Sequence, residues 1–231
     1  MGFLFSKLIR NIVIAYVIFS VVQYLLRSKS YSISPKEFRN IANKAQGAEN
    51  AASAVSRLST DLRRAYGPVI AAETSWLPLN LGHLPLKVLF LHASITEFIA
   101  VIGTPYPVSG RIGMHWANCT CTVVSGGIGR VPDVGHIPKK ENFNPGENFR
   151  HGQFESHVYS FGPDSYAVCY GRGLMPVSGL WAATGALSHG EPLSFGRLMY
   201  AYGHEAFNQL SLALTNTFNY YKSKATGKTE L

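Results

Sequence analysis

The sequence predicts an α+β protein held in a membrane by a transmembrane helix at its N-terminus. Three observations lead to this class: an apolar segment opens the 231-residue chain, Gly and Pro punctuate Tyr-, Val- and Thr-rich stretches in its centre, and two apolar helical stretches follow. We therefore divide the chain into a membrane anchor (1–30), a helix with a strand-built domain (31–175), membrane-associated helices (176–221) and a flexible tail ending in KTEL (222–231).

The segment from Leu8 to Leu26 is long enough to cross a bilayer. Its nineteen residues would rise about 28 Å as a helix, close to the thickness of a thin hydrocarbon core. Few polar residues interrupt it: Arg10, Asn11, Ser20 and Gln23. A cleaved signal peptide is the alternative, but the charged stretch 27–30 follows rather than a small-residue cleavage site. We predict an uncleaved anchor.

The distribution of charged residues and the two ends of the chain predict that the protein associates with a membrane and not with nucleic acid. The formal net charge is +8, yet the basic residues are scattered and no basic run alternates with aromatic residues as in a nucleic-acid groove. Basic residues flank the apolar segment almost equally on both sides, so they do not orient it. The final four residues differ at one position from the retrieval signal of the endoplasmic reticulum, so we expect a protein of that membrane with a lumenal body.

The body begins with a predicted amphipathic helix over 35–66, with Pro35 in its first turn and Gly67-Pro68 ending it. The apolar segment 84–102 follows, and dense turn signals between short strands over 103–173 predict a barrel or a sandwich. The stretches 180–187 and 195–218 are predicted as helices with apolar residues on more than one face. Such helices pack on a membrane surface or in an oligomer interface.

Short sequence blocks occur in a definite order between residues 92 and 176. They are His92-Ala93-Ser94-x-x-Glu97, Gly103-Thr104, Ser109-Gly110 leading to Trp116-Ala117, Ser125-Gly126, Pro145-Gly146-Glu147 followed by His151-Gly152, Gly162-Pro163, and Tyr170-Gly171-Arg172-Gly173-x-x-Pro176. Together with the anchor and the C-terminal helices, this order resembles the C-8 sterol isomerase and sigma-1 receptor family over about residues 8–220.

The resemblance implies a cupin-like β-barrel around an apolar cavity, two C-terminal helices against the membrane, and often a homotrimer. The family contains fungal enzymes that move a sterol double bond from C8 to C7, and receptors that bind hydrophobic amines. The implied partner is therefore a hydrophobic small molecule, terpenoid or sterol-like. We predict no cofactor, and the spacing of the eight histidines predicts no metal site.

Moving a double bond within a sterol requires a proton donor and a stabilised carbocation, for which the family uses a pair of acidic residues. At the matching positions this chain has Cys121 and Cys169, and Phe98 replaces an aromatic residue with a hydroxyl. Three interpretations of the cysteines stay open: small buried hydrophobes, a disulfide if the barrel places them as the acid pair, or a catalytic thiol. Cys119, on the same strand face, could compete for a disulfide.

Other residues must then supply any proton transfer. Glu97, in the most apolar surroundings, is our candidate acid, with a structural role as the alternative. His151 is our candidate base or hydrogen-bond donor, or it fixes a loop; His115 and Tyr166 are weaker candidates. The residues expected to line the ligand cavity, or simply to fill the core, are Phe98, Trp116, Cys121, Phe161, Tyr166, Cys169 and Tyr170.

From these residues we expect an enzyme that isomerises or cyclises a hydrophobic substrate through protonation. The alternatives are a non-catalytic receptor for a lipid or ligand, which the missing acid pair favours, and an ordinary C-8 sterol isomerase. Without the acid pair, we expect weak binding of cationic ligands.

Overall fold

The computed structural model describes residues 2–45, 51–133 and 139–225. The chain divides into an N-terminal helical unit, ending at Ser32, and a larger unit that starts at Ile33 and holds all the described strands. Three of the sequence features fall partly or wholly outside these residues. They are the middle of the predicted helix over 35–66, part of the predicted strand region, and the KTEL end.

The N-terminal unit consists mainly of helix α1 (Gly2–Ser28). Its portion Lys7–Ser28 is the one stretch among the described residues that is long and apolar enough to cross a membrane, judged by length and composition. Large apolar side chains such as Ile12 and Val17 are exposed along it. The predicted apolar anchor is therefore a continuous helix.

Two helices replace the single helix predicted over 35–66. Helix α2 (Pro35–Lys44) has Pro35 in its first turn, and helix α3 (Ala51–Tyr66) ends at Gly67, whose φ of +58° suits glycine. A short 3₁₀ turn (Gly67–Val69) follows. The buried faces of both helices, with Phe38 and Leu58 fully buried, join a core cluster against the sheet.

Within residues 2–45, 51–133 and 139–225, ten strands form two antiparallel sheets. The six-stranded sheet has the order β1-β2-β3-β10-β5-β8 and the four-stranded sheet the order β4-β9-β6-β7. The strand bounds are β1 (Leu77–Leu81), β2 (Leu84–Ala93), β3 (Glu97–Thr104), β4 (Val108–Arg111), β5 (Ala117–Ser125), β6 (Ile128–Pro132), β7 (Glu141–Phe143), β8 (Asn148–His151), β9 (His157–Phe161) and β10 (Ser165–Gly173). Strands thus begin before residue 103, because the apolar segment 84–102 forms β2 and β3.

The two sheets face each other across an apolar interior. One buried cluster combines Leu86 of β2, Val123 of β5 and Ala167 of β10 with Ile128 and Phe161 of the second sheet. The opposite face of the large sheet packs against α2 and α3. The predicted α+β class is confirmed: an apolar N-terminal helix comes before antiparallel sheets, and helices follow them.

Helices α4 (Met175–Ser188) and α5 (Pro192–Ala225) cover the β1–β2 end of the large sheet. Helix α4 lies close to β1: a Cβ atom on Gly185 would come within 2.3 Å of the Asn80 carbonyl oxygen. Helix α5 is longer than predicted and reaches into the expected tail. Its apolar residues at seven-residue intervals share one exposed face: Leu193, Tyr200, Phe207, Leu214 and Tyr221.

Candidate functional site

An apolar cavity of about 230 Å³ lies between the sheets and the two C-terminal helices. Helices α4 and α5 supply Met175, Pro176, Ser178, Gly179, Ala182, Leu198, Met199 and Tyr202 to its wall. The strands and their connections supply Leu79, Leu81, Leu84, Leu86, Val88, Phe90, Phe98, Ala100, Ile102, Ile112, His115, Ala117, Cys119, Cys121, Phe149, His151, Tyr159, Phe161 and Cys169. None of these described lining residues is acidic.

Strand alternation explains which residues face the cavity. Successive side chains on a strand point to opposite faces, so Phe98 of β3 lines the cavity while its neighbours Glu97 and Ile99 do not. On β10, Cys169 lines the cavity and Tyr170 packs in the cluster under α2 and α3. The turn between β2 and β3 sets this register, because the Glu97 backbone N–H donates to Oγ of Ser94 at 3.0 Å.

Cys121 and Cys169 form a disulfide bond in the cavity wall. They are direct partners across the antiparallel pair of β5 and β10, which places their side chains on the same face. Of the three interpretations open from the sequence, the structure therefore has the disulfide. Cys119 keeps its thiol, and burial raises the pKa of that thiol to about 12. It is thus a neutral lining group and a poor nucleophile at neutral pH.

Two histidines bring polar atoms to the cavity. Nδ1 of His151 lies 3.2 Å from the Tyr159 hydroxyl, and His115 has Nε2 at 2.8 Å from the Ile112 carbonyl and Nδ1 at 3.1 Å from Oγ of Ser178. A carbonyl oxygen can only accept a hydrogen bond, so Nε2 of His115 carries the proton. Nδ1 of the neutral ring then accepts from the Ser178 hydroxyl.

Both imidazoles are neutral at neutral pH. Burial lowers the pKa of His115, and burial together with His115 and His157 lowers the pKa of His151 to about 4. Burial raises the pKa of Tyr159 to about 12, so its hydroxyl keeps its proton. The cavity thus contains hydrogen-bonding groups without a formal charge.

Glu97 is buried on the other side of β3 from the cavity. The Tyr170 hydroxyl donates to its Oε2 at 3.0 Å and accepts from Nε of Arg172 at 2.7 Å. Its Oε1 lies 4.0 Å from Nε2 of His92. Glu97 therefore belongs to a buried polar network that ties together β2, β3 and β10.

The structure brings together six of the ten candidate site residues. The cavity is lined by His115, His151, Phe98, Cys121, Phe161 and Cys169, whereas its wall does not include Glu97, Trp116, Tyr166 or Tyr170. Tyr166 lies on the opposite face of β10, with its ring 5.6 Å from that of Trp76. The Trp116 ring lies 5.9 Å from that of Phe154.

Sequence reasoning did not place Cys119, Tyr159 and Tyr202 in the site. Two of these positions carried a usable signal. Tyr159 lies two residues before Phe161 on one strand and Cys119 two residues before Cys121 on another, so each pair shares a strand face. Tyr202 had no such signal, since its place in the wall depends on how α5 packs over β2.

A group of metal-ligand side chains adjoins the cavity wall, although the histidine spacing gave no indication of one. His151, Glu155 and His157 each offer a ligand atom, and these atoms lie within 4.8 Å of one another. The group spans the end of β8, the connecting loop and the start of β9.

Comparison with known proteins gives relatives among receptors. The chain is 30% identical over 181 residues to sigma non-opioid intracellular receptor 1 of Taricha granulosa, covering 76% of this chain and 80% of the relative. It is 31% identical over 153 residues to the receptor of the same name from Xenopus tropicalis, covering 65% and 68% respectively.

Solved structures with a similar strand core include KdgF from Halomonas sp., with a TM-score of 0.36 and 14% identity over 43% of this chain and 87% of that one. Another is an RmlC-like cupin from Shewanella frigidimarina, with a TM-score of 0.36 and 16% identity over 44% and 85%. The family model described as ERG2 and Sigma1 receptor like protein matches residues 9–213. With most of the sequence matched, the chain belongs to the ERG2 and sigma-1 receptor-like family.

Proposed function

We propose that this protein is an anchored protein of the endoplasmic reticulum membrane that binds an uncharged hydrophobic molecule, terpenoid or sterol-like, in the cavity between its sheets. One observation carries the proposal: the described cavity wall is apolar and aromatic, with neutral polar groups and no carboxylate. Apolar pockets with a few placed polar groups are the usual form of small-molecule sites.

The charge of the ligand follows from the cavity wall. A buried ammonium group loses its hydration and needs a buried anion close by, or binding becomes very unfavourable. The disulfide of Cys121 and Cys169 occupies the positions where the family resemblance implies an acid pair. A neutral ligand that accepts or donates one hydrogen bond at His151 or Tyr159 suits the wall better.

The cavity volume bears on the size of the ligand. About 230 Å³ lies just below the range of about 300–1,000 Å³ that is common for small-molecule pockets. A slender terpenoid would fit with small side-chain movements, whereas a sterol nucleus would have to displace side chains of α4 or α5. Those helices form one side of the wall and are the elements that would move.

Several features support the membrane location. Helix α1 is long and apolar enough to span a bilayer, and α5 has a row of exposed apolar residues suited to a membrane surface. The KTEL end supports the endoplasmic reticulum and a lumenal body. A homotrimer, implied by the family resemblance, belongs to the same proposal, and light scattering of the detergent-solubilised protein measures it.

A matched pair of ligands tests the binding proposal: a sterol alcohol and the amine that differs from it only at that group. We expect the purified protein to bind the alcohol at least about tenfold more tightly, since burying an unpaired charge costs more than 1.4 kcal/mol. The double variant Cys121→Asp, Cys169→Glu should gain affinity for the amine, and its retained affinity for the alcohol reports intact folding. Tighter binding of the amine by the wild-type protein, lost when the amine is deprotonated at high pH, would contradict the proposal.

A second candidate function is an isomerase or cyclase acting on the same class of molecule. The hydrogen-bonded pair of His151 and Tyr159 favours it, because both groups face the cavity and the neutral imidazole could take a proton from a carbocation, directly or through the Tyr159 hydroxyl, which would pass its own proton to Nδ1. The aromatic rings of Phe98, Phe161 and Tyr202 could stabilise such a cation by cation–π attraction. Glu97, our candidate acid, would have to act from the far side of β3.

Complementation distinguishes the two functions for sterols. The chain is expressed in yeast lacking its own C-8 sterol isomerase, and the sterols are profiled. Accumulated Δ8-sterols, with expression confirmed, are the result that the binding proposal expects. Restored Δ7-sterols would establish an ordinary isomerase, and the variants Glu97→Gln and His151→Ala would then identify which residue transfers the proton.

A further inference from the structure

We propose that His151, Glu155 and His157 form a binding site for a divalent transition-metal ion, zinc being the best match, at the edge of the apolar cavity. The proposal goes beyond ligand binding in the cavity and does not depend on it. Two imidazoles and one carboxylate are a ligand set that zinc takes readily, with an open fourth position for water or another ligand.

The spacing of the three side chains is the first observation. One ligand atom of each lies within 4.8 Å of those of the other two, and the rings of His151 and His157 are 5.5 Å apart. Ligand atoms on a tetrahedral zinc ion at 2.0–2.2 Å are about 3.4 Å apart. Movements of about 1 Å, within reach of side-chain rotation, would therefore close the site.

Unpartnered buried nitrogens are the second, independent observation. His151 is 3% exposed, and its Nε2 has no hydrogen-bond partner among the described residues. Nδ1 of His157 is likewise inaccessible and has no partner within the described ranges. A buried polar atom without a partner is costly and unusual, so two in one cluster point to a bound species that satisfies them.

The contrast with His115 supports this interpretation. The ring of His115 lies 6.0 Å from that of His151, yet both of its nitrogens have partners, at Ile112 and Ser178. Burial alone therefore does not leave imidazole nitrogens unsatisfied in this part of the molecule.

The backbone holds Glu155 in place as a ligand. The Gly152 backbone N–H donates to its Oε2 at 2.8 Å, and a Cβ atom on Gly152 would approach its Oε1 to 2.2 Å. A larger residue at position 152 would thus push the carboxylate away. The same N–H lowers the pKa of Glu155, so the carboxylate is ionised at neutral pH.

The protonation states also suit a cation. Burial lowers the pKa values of His151 and His157, so both rings offer lone pairs at neutral pH. Two positive charges lie nearby. Arg150 acts on Glu155 and donates to Oδ1 of Asn118 at 3.0 Å, and Arg130 donates through Nε to Oε2 of Glu141 at 2.5 Å. This ion pair offsets the repulsion that Arg130 would exert on a metal ion.

The test uses the full-length protein, purified in detergent without a histidine tag, and measures zinc content after equilibrium dialysis against micromolar zinc. Cobalt replacement, followed through its visible absorption, reports the coordination geometry. We expect about one zinc per chain and a tetrahedral cobalt spectrum.

Three variants probe the ligands. Glu155→Gln and His157→Ala should each weaken zinc binding by more than about 100-fold, since even indirect partners of metal ligands are worth about 10–100-fold. Gly152→Ala keeps all three ligands but should weaken binding by displacing the carboxylate. His83→Ala, at an exposed histidine, is the matched control and should bind zinc like the wild type.

Circular dichroism and melting temperature establish that each variant is folded, and Glu155→Gln provides the mildest change because Glu155 is exposed. Zinc content near zero in the wild-type protein would overturn the proposal. Unchanged zinc binding in Glu155→Gln and Gly152→Ala would overturn it equally, because the metal would then be bound elsewhere.

Discussion

Cys121 and Cys169 determine the charge of the cavity wall. A pair of acidic residues at these positions would bring ionisable protons into apolar surroundings, whereas the disulfide contributes neither charge nor proton. Where the family resemblance implies an acid pair, we therefore expect the disulfide to favour an uncharged ligand. The neighbouring thiol of Cys119 adds polarisable surface but no anion.

Replacing both Cys121 and Cys169 by Ser should lower the free energy of unfolding by up to about 4 kcal/mol. The bridge joins residues 48 positions apart and limits the conformations of the unfolded chain. Removing it raises the conformational entropy of the unfolded chain and so favours unfolding. Thermal unfolding in detergent, with and without a reductant, measures the effect. The control Cys119→Ala removes the free thiol without burying a hydroxyl and should lose much less stability than the double variant. A double variant that melts like the wild type would show that the bridge adds no stability.

Glu97 has the contacts of a structural residue. Glu97→Ala should lower the free energy of unfolding by about 1–3 kcal/mol, because it removes one of the two buried acceptors of the Tyr170 hydroxyl and leaves only the Ile33 carbonyl oxygen, at 2.9 Å. Glu97→Gln keeps an acceptor but cannot donate an acidic proton, so it should retain most of the stability and all of the ligand binding. Loss of an enzymatic activity in Glu97→Gln at an unchanged melting temperature would instead assign Glu97 a proton-transfer role.

Helix α4 combines two glycines with opposite roles. Gly185 allows close packing on β1, since its absent Cβ would clash with the backbone oxygen of Asn80. Gly179, in the same helix, has room for a side chain: among the described residues, a Cβ atom there would meet only Sδ of Met199, at 3.8 Å. Close approach of the helix backbone to the sheet is therefore a property of one end of α4.

Gly185→Ala should destabilise the protein by about 1–3 kcal/mol, because backbone atoms must shift to admit the methyl group. Gly179→Ala should be neutral or stabilise it by up to about 1 kcal/mol, as Ala is the better helix former. Melting temperatures of the two variants measure the difference. Equal destabilisation by both substitutions would contradict the close α4–β1 packing.

We expect the exposed apolar face of α5 to give the larger unit its own affinity for membranes. A chain that starts at residue 31 should still float with phosphatidylcholine liposomes, because Leu193, Phe207 and Leu214 share one exposed face. The triple variant Leu193→Gln, Phe207→Gln, Leu214→Gln in the same shortened chain should stay at the bottom of the gradient. If the shortened chain does not float, that face serves another purpose, such as contact between copies.

Local patterns in the sequence predicted the main classes of element in order, an apolar helix first, then strands, then C-terminal helices, although not the division of 35–66 into α2 and α3 or the strands over 77–102. The apolar run predicts α1, Pro35 and Gly67 mark a helix start and a helix end, and the Gly- and Pro-punctuated stretches predict short strands. The ordered blocks between His92 and Pro176 indicated the family, which the match over residues 9–213 shows. Each of these features depends on residues close together in the chain, so neighbouring positions suffice to reveal it.

Which side chains line the cavity depends on contacts between residues that are distant in the sequence. Strand register turned Phe98 into the cavity and Glu97 away from it, and the pairing of β5 with β10 joined Cys121 to Cys169. The packing of α5 over β2 added Tyr202. A shift of one residue in register reverses every side chain of a strand, and no local pattern records that choice. The sequence could therefore indicate an apolar ligand site without the acid pair, whereas the disulfide in its wall, the position of Glu97 outside that wall and the grouping of His151, Glu155 and His157 emerged only from the folded chain.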